Sequence, residues 1–115
     1  MSKRICFDLD GTLCEGWPYS EAQPKEGAAA LLTSLRLQGH TVIIHTARKM
    51  ATAKGNPGEA LALIGALTFK QLEDWGFRYD EIYFGKPNAD LYIDDKACSN
   101  VDLDYLRELF ESRVV

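Results

Sequence analysis

The sequence predicts an α/β domain with a mainly parallel central sheet, Rossmann-like and three-layered. Three observations lead there. Short apolar, β-branched runs alternate with longer segments of helical spacing along all 115 residues, the order that parallel sheets require. Each apolar run ends in residues able to do chemistry: Asp8 and Asp10, Thr46, Lys86, Asp94 and Asp95. The length suits one domain, with no internal repeat, low-complexity tract or linker to divide it, so residues 1–115 are expected to form one unit.

The first run, Arg4 to Leu9, breaks at the turn signal Asp10-Gly11 and reads as a buried central strand. Residues 14–26 contain Gly16, Pro18 and Pro24 and read as an irregular loop or flap. Glu26 to Gln38 carries Ala29, Leu32, Leu35 and Leu37 at helical spacing, and Gly39 follows as a stop. Thr41 to His45 is β-branched and apolar, a second buried strand ending at Thr46-Ala47-Arg48. Residues 50–58 are small and polar, and Gly55-Asn56-Pro57-Gly58 reads as loop. A helix is expected from Glu59 to Trp75, closed by Gly76. Short strands follow over Glu81–Phe84 and Asp90–Ile93, then a last helix over Val101–Phe110 capped by Ser99 or Asn100.

Composition narrows the function. Apolar residues are 46% of the chain and charged residues 26%, an ordinary globular mixture with material for one core. A net charge of -4 without a long basic run argues against nucleic-acid binding. No apolar stretch approaches the roughly 20 residues of a membrane span, and the N-terminus is too short for a signal-peptide core. Cys6, Cys14 and Cys98 form no disulfide framework or zinc spacing. A cytoplasmic protein is the expectation.

In such sheets ligands bind beyond the carboxyl ends of the strands, so the strand-end residues should share one rim. There Asp8 and Asp10 repel each other, and Asp94-Asp95 adds to the repulsion. A hard dication with oxygen ligands, most plausibly magnesium, resolves that clustering. Magnesium pairs with phosphate oxygens, and the remaining types suit phosphoryl transfer. A carboxylate serves as nucleophile, Thr46 and Lys86 offer a hydroxyl and a charge, and one carboxyl group acts first as acid, then as base.

At these residues the sequence resembles a known family. Asp8-Leu9-Asp10-Gly11-Thr12-Leu13 is similar to the first motif of the haloacid dehalogenase superfamily of phosphatases. Val42-Ile43-Ile44-His45-Thr46 is similar to its second motif, Lys86 in Gly85-Lys86-Pro87 to its third, and Leu91-Tyr92-Ile93-Asp94-Asp95 to its fourth, in the family's order. The resemblance implies that Asp8 is nucleophile and metal ligand. It makes Asp10 the acid and base, lending its backbone carbonyl to the metal. Thr46 and Lys86 would hold the phosphate, with Leu9, Gly11, Thr12, Ala47 and Arg48 as further phosphate or substrate contacts. Asp94 and Asp95 would complete a magnesium site, with Asp95 favoured for direct contact.

The length and the Tyr92-Ile93-Asp94-Asp95-Lys96-Ala97 stretch resemble small members without a cap domain, found with capsule and surface-polysaccharide synthesis. The implied substrate is a small sugar or polyol phosphate, and an open site without a cap implies self-association. Two other readings stand beside it: a phosphatase for phosphoprotein or nucleic-acid ends, and an idle domain that binds a partner. Arg48 and Lys49 read equally as anion ligands and as solvated surface. Trp17 and Tyr19 read as the wall of a sugar pocket or as packing of the flap on the body. His45 reads as a core histidine on the face opposite Thr46.

Overall fold

A computed structural model describes residues 2–85 and 89–93. Four parallel strands form the sheet: β1 (Arg4–Asp8), β4 (Thr41–Thr46), β5 (Glu81–Phe84) and β6 (Leu91–Ile93), in the order β5-β4-β1-β6. The two strands richest in apolar and β-branched residues, β1 and β4, are central. Their register sets Ile5 beside Val42, Phe7 beside Ile44 and Asp8 beside His45. In a parallel pair such neighbours share a face, so Ile5, Phe7, Val42 and Ile44 form one apolar surface.

Helices α1 (Ala28–Leu37) and α2 (Pro57–Asp74) cover that surface. Leu31, Leu32 and Leu35 of α1 and Leu72 of α2 join Ile5, Phe7, Val42 and Ile44 in one buried cluster. Each such side chain contributes about 1.5–3 kcal/mol by leaving water. Cys6 and Ile43 point to the other face and are fully buried as well, so both faces of the sheet are covered, as a parallel sheet requires. The helix expected over residues 101–110 lies outside the described residues. Among the described residues, no helix is long and apolar enough to cross a membrane.

Several expected boundaries move for local reasons. The α1 stripe uses Ala28, Leu31, Leu32 and Leu35, whereas Leu37 is exposed. Residue 35 lies seven positions after 28, on one helical face, and 37 falls beyond its edge. The helix stops in a Schellman arrangement: His40 N–H donates to the Leu35 carbonyl and Gly39 N–H to Arg36. The left-handed φ of 89° at Gly39 is what that closure needs.

The segment read as loop through Gly58 instead starts α2. Asn56 accepts from the backbone N–H of Gly58 (3.0 Å) and Glu59 (3.3 Å), and Pro57 takes the first helical position, where no N–H is needed. The flap is not wholly irregular either. β2 (Cys14–Glu15) pairs antiparallel with β3 (Gln23–Pro24), and a 3-10 turn at Tyr19–Glu21 lies between them. Phe77 is core, with Trp75 and Tyr79 packed against it.

Candidate active site

The carboxyl ends of β1 and β4 are neighbours, and they carry Asp8 and Thr46. Just past β1 the chain turns back. Leu13 and Cys14 donate their N–H groups to the Leu9 carbonyl, and Gly11 N–H donates to Cys14. Gly11 sits at φ 88°, the left-handed region that glycine enters without steric cost. The turn aims Asp10 at the face carrying Thr46.

Asp10 is the most heavily contacted group of the rim. The Thr46 hydroxyl donates to its Oδ2 at 3.2 Å. Arg48 donates from Nε to both carboxylate oxygens at 3.1 Å and from Nη2 to Oδ1 at 2.9 Å. The Thr46 hydroxyl in turn accepts from the Arg48 N–H at 3.1 Å.

Arg48 is 1% exposed. A buried guanidinium costs several kcal/mol unless its charge and its five N–H donors are satisfied. Here Nε is shared by the two Asp10 oxygens. Nη1 reaches Gln71 Oε1 at 2.6 Å and Thr68 Oγ1 at 3.3 Å, and Nη2 reaches Asp10 and the Cys14 sulfur, the latter at 3.8 Å. The Tyr19 ring closes the remaining side, with the guanidinium carbon 4.8 Å from its centroid, a cation–π contact in a desolvated setting. Gln71 also donates from Nε2 to the Tyr19 carbonyl at 2.6 Å, fastening the flap to α2. Lys25 adds a second tie, donating from Nζ to the Gly11 carbonyl at 2.7 Å.

This packing shifts neighbouring groups. Burial, and then the Asp10 charge, push the Cys14 thiol up to about 12, so Cys14 stays protonated. The same two causes raise the Tyr19 phenol above its usual value.

Asp8 occupies a different setting. Strand alternation puts it on the face opposite Phe7 and Ile44, beside His45 in the register, and His45 Nε2 lies 3.9 Å from Asp8 Oδ1. His45 therefore does point away from Thr46, and at a carboxylate.

The expected site residues thus divide. Asp8, Asp10 and Thr46 come to one rim; Lys86, Asp94 and Asp95 lie outside the described residues. The surface reading of Arg48 is corrected, since its side chain is buried and turned inward onto Asp10. The reading of Tyr19 as packing of the flap is the one realised. Leu9 N–H does not face the rim for a phosphate, because it continues the sheet ladder to the His45 carbonyl at 2.9 Å. Gly11 N–H is likewise engaged within the turn. Thr12 is fully buried, its hydroxyl without a hydrogen-bond partner among the described residues.

Thr68 and Gln71 were not anticipated. Their signal was two polar residues inside the buried stripe Ile64, Gly65, Thr68, Gln71, Leu72 of α2, which a buried charge opposite would explain.

For a cation, Asp8 offers a hard carboxylate oxygen, and Asp10 offers its backbone carbonyl, its carboxylate being turned to Arg48 and Thr46. Among the described residues no three acidic, histidine or cysteine side chains converge as a metal cluster. A shallow groove of about 370 Å³ lies elsewhere, lined by Arg36, Phe69, Glu73, Phe77, Arg78 and Tyr79. It holds none of the motif residues.

The fold is similar to that of two solved proteins. One is an MCSG target from Vibrio cholerae, with TM-score 0.67 and 29% identity over 96% of this chain and 98% of that one. The other is a conserved protein from Bacteroides thetaiotaomicron, with TM-score 0.63 and 22% identity over 98% of this chain and 93% of that one. No protein-family model and no curated protein matches the chain.

Proposed function

We propose that this chain is a magnesium-dependent phosphomonoesterase of the haloacid dehalogenase superfamily, acting through an aspartyl-phosphate on Asp8. The observation that supports the reading is that Asp8 and Thr46 end two adjacent central strands and that the Thr46 hydroxyl donates to the Asp10 carboxylate just past β1. One carboxylate is thereby held by fixed donors, while a second stands two residues away on the other side of the strand.

The division of labour is the one that the motif resemblance implies. Asp8 Oδ attacks phosphorus and the bond to the leaving oxygen breaks, with a proton from Asp10 going to that oxygen. Water then attacks the phosphorus of the aspartyl-phosphate and gives a proton to Asp10, releasing phosphate and restoring both carboxyl groups. Bound magnesium supplies charge neutralisation at the phosphoryl oxygens. Asp8 and the Asp10 carbonyl would hold it, with Asp94 and Asp95, and Lys86 would face the phosphate. Thr46 works through Asp10, to which its hydroxyl is committed.

The substrate class in this reading is a small sugar or polyol phosphate of surface-polysaccharide synthesis, and self-association accompanies the uncapped site. The test is a panel of sugar, polyol and aryl phosphates assayed with magnesium, with a chelator as control. Wild-type hydrolysis is expected to stop with the chelator. Asp8→Asn is expected to fall to background while its thermal transition stays that of the wild type. Near-normal turnover by folded Asp8→Asn protein refutes the nucleophile assignment.

A further inference from the structure

Arg48 is the least expected group of the rim. It is the largest fully buried side chain among the described residues, and burying a guanidinium is costly in a domain of this size. Yet its fork is directed at one carboxylate. Three of its contacts go to Asp10 at 2.9–3.1 Å, and its own N–H holds the Thr46 hydroxyl that supplies the fourth donor. Asp10 itself is not buried to the same degree, with its side chain 32% exposed. One cation, sealed from solvent, therefore sets the position of a carboxylate that reaches the rim.

Behind the fork, Gln71, Thr68 and the Tyr19 ring fix the guanidinium on the sides that Asp10 does not occupy. Two of these supports meet again through the Gln71 contact with the Tyr19 carbonyl. The flap over residues 14–26 is thus tied to the group that orients Asp10. Trp17 stacks edge-on against Tyr19 with ring centroids 4.9 Å apart and is 74% exposed, so the connection runs from solvent to Asp10.

We infer that Arg48 is a positioning residue of the proposed reaction, acting on substrate only through Asp10, and that Tyr19 makes the flap part of the same device. The inference rests on the phosphomonoesterase reading. Arg48 has no donor left for a phosphate, because each N–H already meets an acceptor. What it controls is the direction from which Asp10 delivers a proton to the leaving oxygen.

That role predicts a dependence on leaving group which a purely structural role does not. An aryl leaving oxygen departs with little help from an acid, whereas an alkyl one needs it. General acid catalysis typically contributes about 10²–10⁴-fold. The test compares kcat and KM of the wild type, Arg48→Lys and Tyr19→Leu with magnesium on glycerol phosphate and on p-nitrophenyl phosphate.

Arg48→Lys keeps a charge but loses the planar fork. It is expected to lose about 100-fold in kcat on the alkyl ester, less than about 10-fold on the aryl ester, with KM little changed on both. Tyr19→Leu removes the ring packed on the guanidinium while leaving both members of the Arg48–Asp10 pair in the chain, and covers the case in which Arg48→Lys fails to fold. It is expected to show the same ordering at smaller size. Equal losses on both esters in folded protein, or a rise confined to KM, overturn the positioning role while leaving the phosphatase reading in place. Hydrolysis of neither ester by the wild type instead removes the reading on which the role stands.

Discussion

The two ends of the sheet use charge in opposite ways. At the amino end, Arg4 meets Glu81 in a two-pronged pair at 2.6 and 3.1 Å, Arg36 meets Asp80 at 3.1 Å, and Asp80 and Asp90 accept the backbone N–H groups of Val42 and Arg4. The side chains in these ion pairs are 30–42% exposed. At the carboxyl end, the pair of Arg48 with Asp10 has its cation sealed from water and surrounded by acceptors. Exposed pairs give little net stability, because water already solvates both partners and salt screens them. A buried pair, by contrast, leaves an uncompensated charge in a dry setting when one member is removed. The amino end can vary its charges at little cost, and the carboxyl end cannot.

Breaking the buried pair is the largest expected effect. Arg48→Met leaves the Asp10 carboxylate without its cation in a partly dry site. Removing one member of a buried pair typically costs about 3–5 kcal/mol, and the partial exposure of Asp10 points to the lower end, about 3 kcal/mol. By the usual scaling for a domain of about 100 residues, that lowers Tm by more than about 10 °C. Calorimetry checks it, and the double variant Asp10→Asn/Arg48→Met is expected to regain part of the loss, since no uncompensated charge remains. Gln71→Leu comes next. It strands one Arg48 N–H and the Tyr19 carbonyl, and an unmet buried polar group costs about 1–3 kcal/mol. Urea unfolding of Gln71→Leu is expected to show an intermediate loss, and a wild-type midpoint would mean that the flap and Arg48 are held by other contacts.

The same contrast explains what could be read from the sequence. The strands and the alternation were legible because apolar runs of period two and stripes of helical period are local signals; Glu81–Phe84 has the expected bounds. The placement of Asp8, Asp10 and Thr46 at one rim followed from the topology of parallel sheets. Arg48 was ambiguous because burial of an arginine depends on partners far along the chain, 20 and 23 residues away at Thr68 and Gln71. Each of those, alone, is an ordinary polar residue on a helix. The start of α2 was missed for a local reason: Asn56-Pro57-Gly58 is a loop signature, but the same asparagine and proline also make a helix cap, and only the apolar stripe beyond them decides. The commitment of Leu9 N–H to the sheet depended on the register with β4, which no local pattern specifies.

The smallest expected effect lies at the amino end and has a sign that can be worked out. The hydrogen bonds from Arg4, and secondarily from Tyr83, hold the Glu81 carboxyl below its usual value, and Glu81 in turn raises the Arg4 guanidinium. With the folded-state value depressed, the unfolded chain takes up the proton first as pH falls. The contribution of Glu81 is therefore present above its unfolded value of about 4.5 and disappears as pH drops through the lower, folded one. Glu81→Gln is expected to lower the urea midpoint slightly at pH 7 and not at all at acid pH below both values. In 1 M salt, where the screening length is about 3 Å, the difference at pH 7 should shrink as well. A deficit in Glu81→Gln that persists at low pH and high salt would mean that this exposed pair acts through packing and not through charge, and the contrast between the two ends of the sheet would no longer be one of solvation.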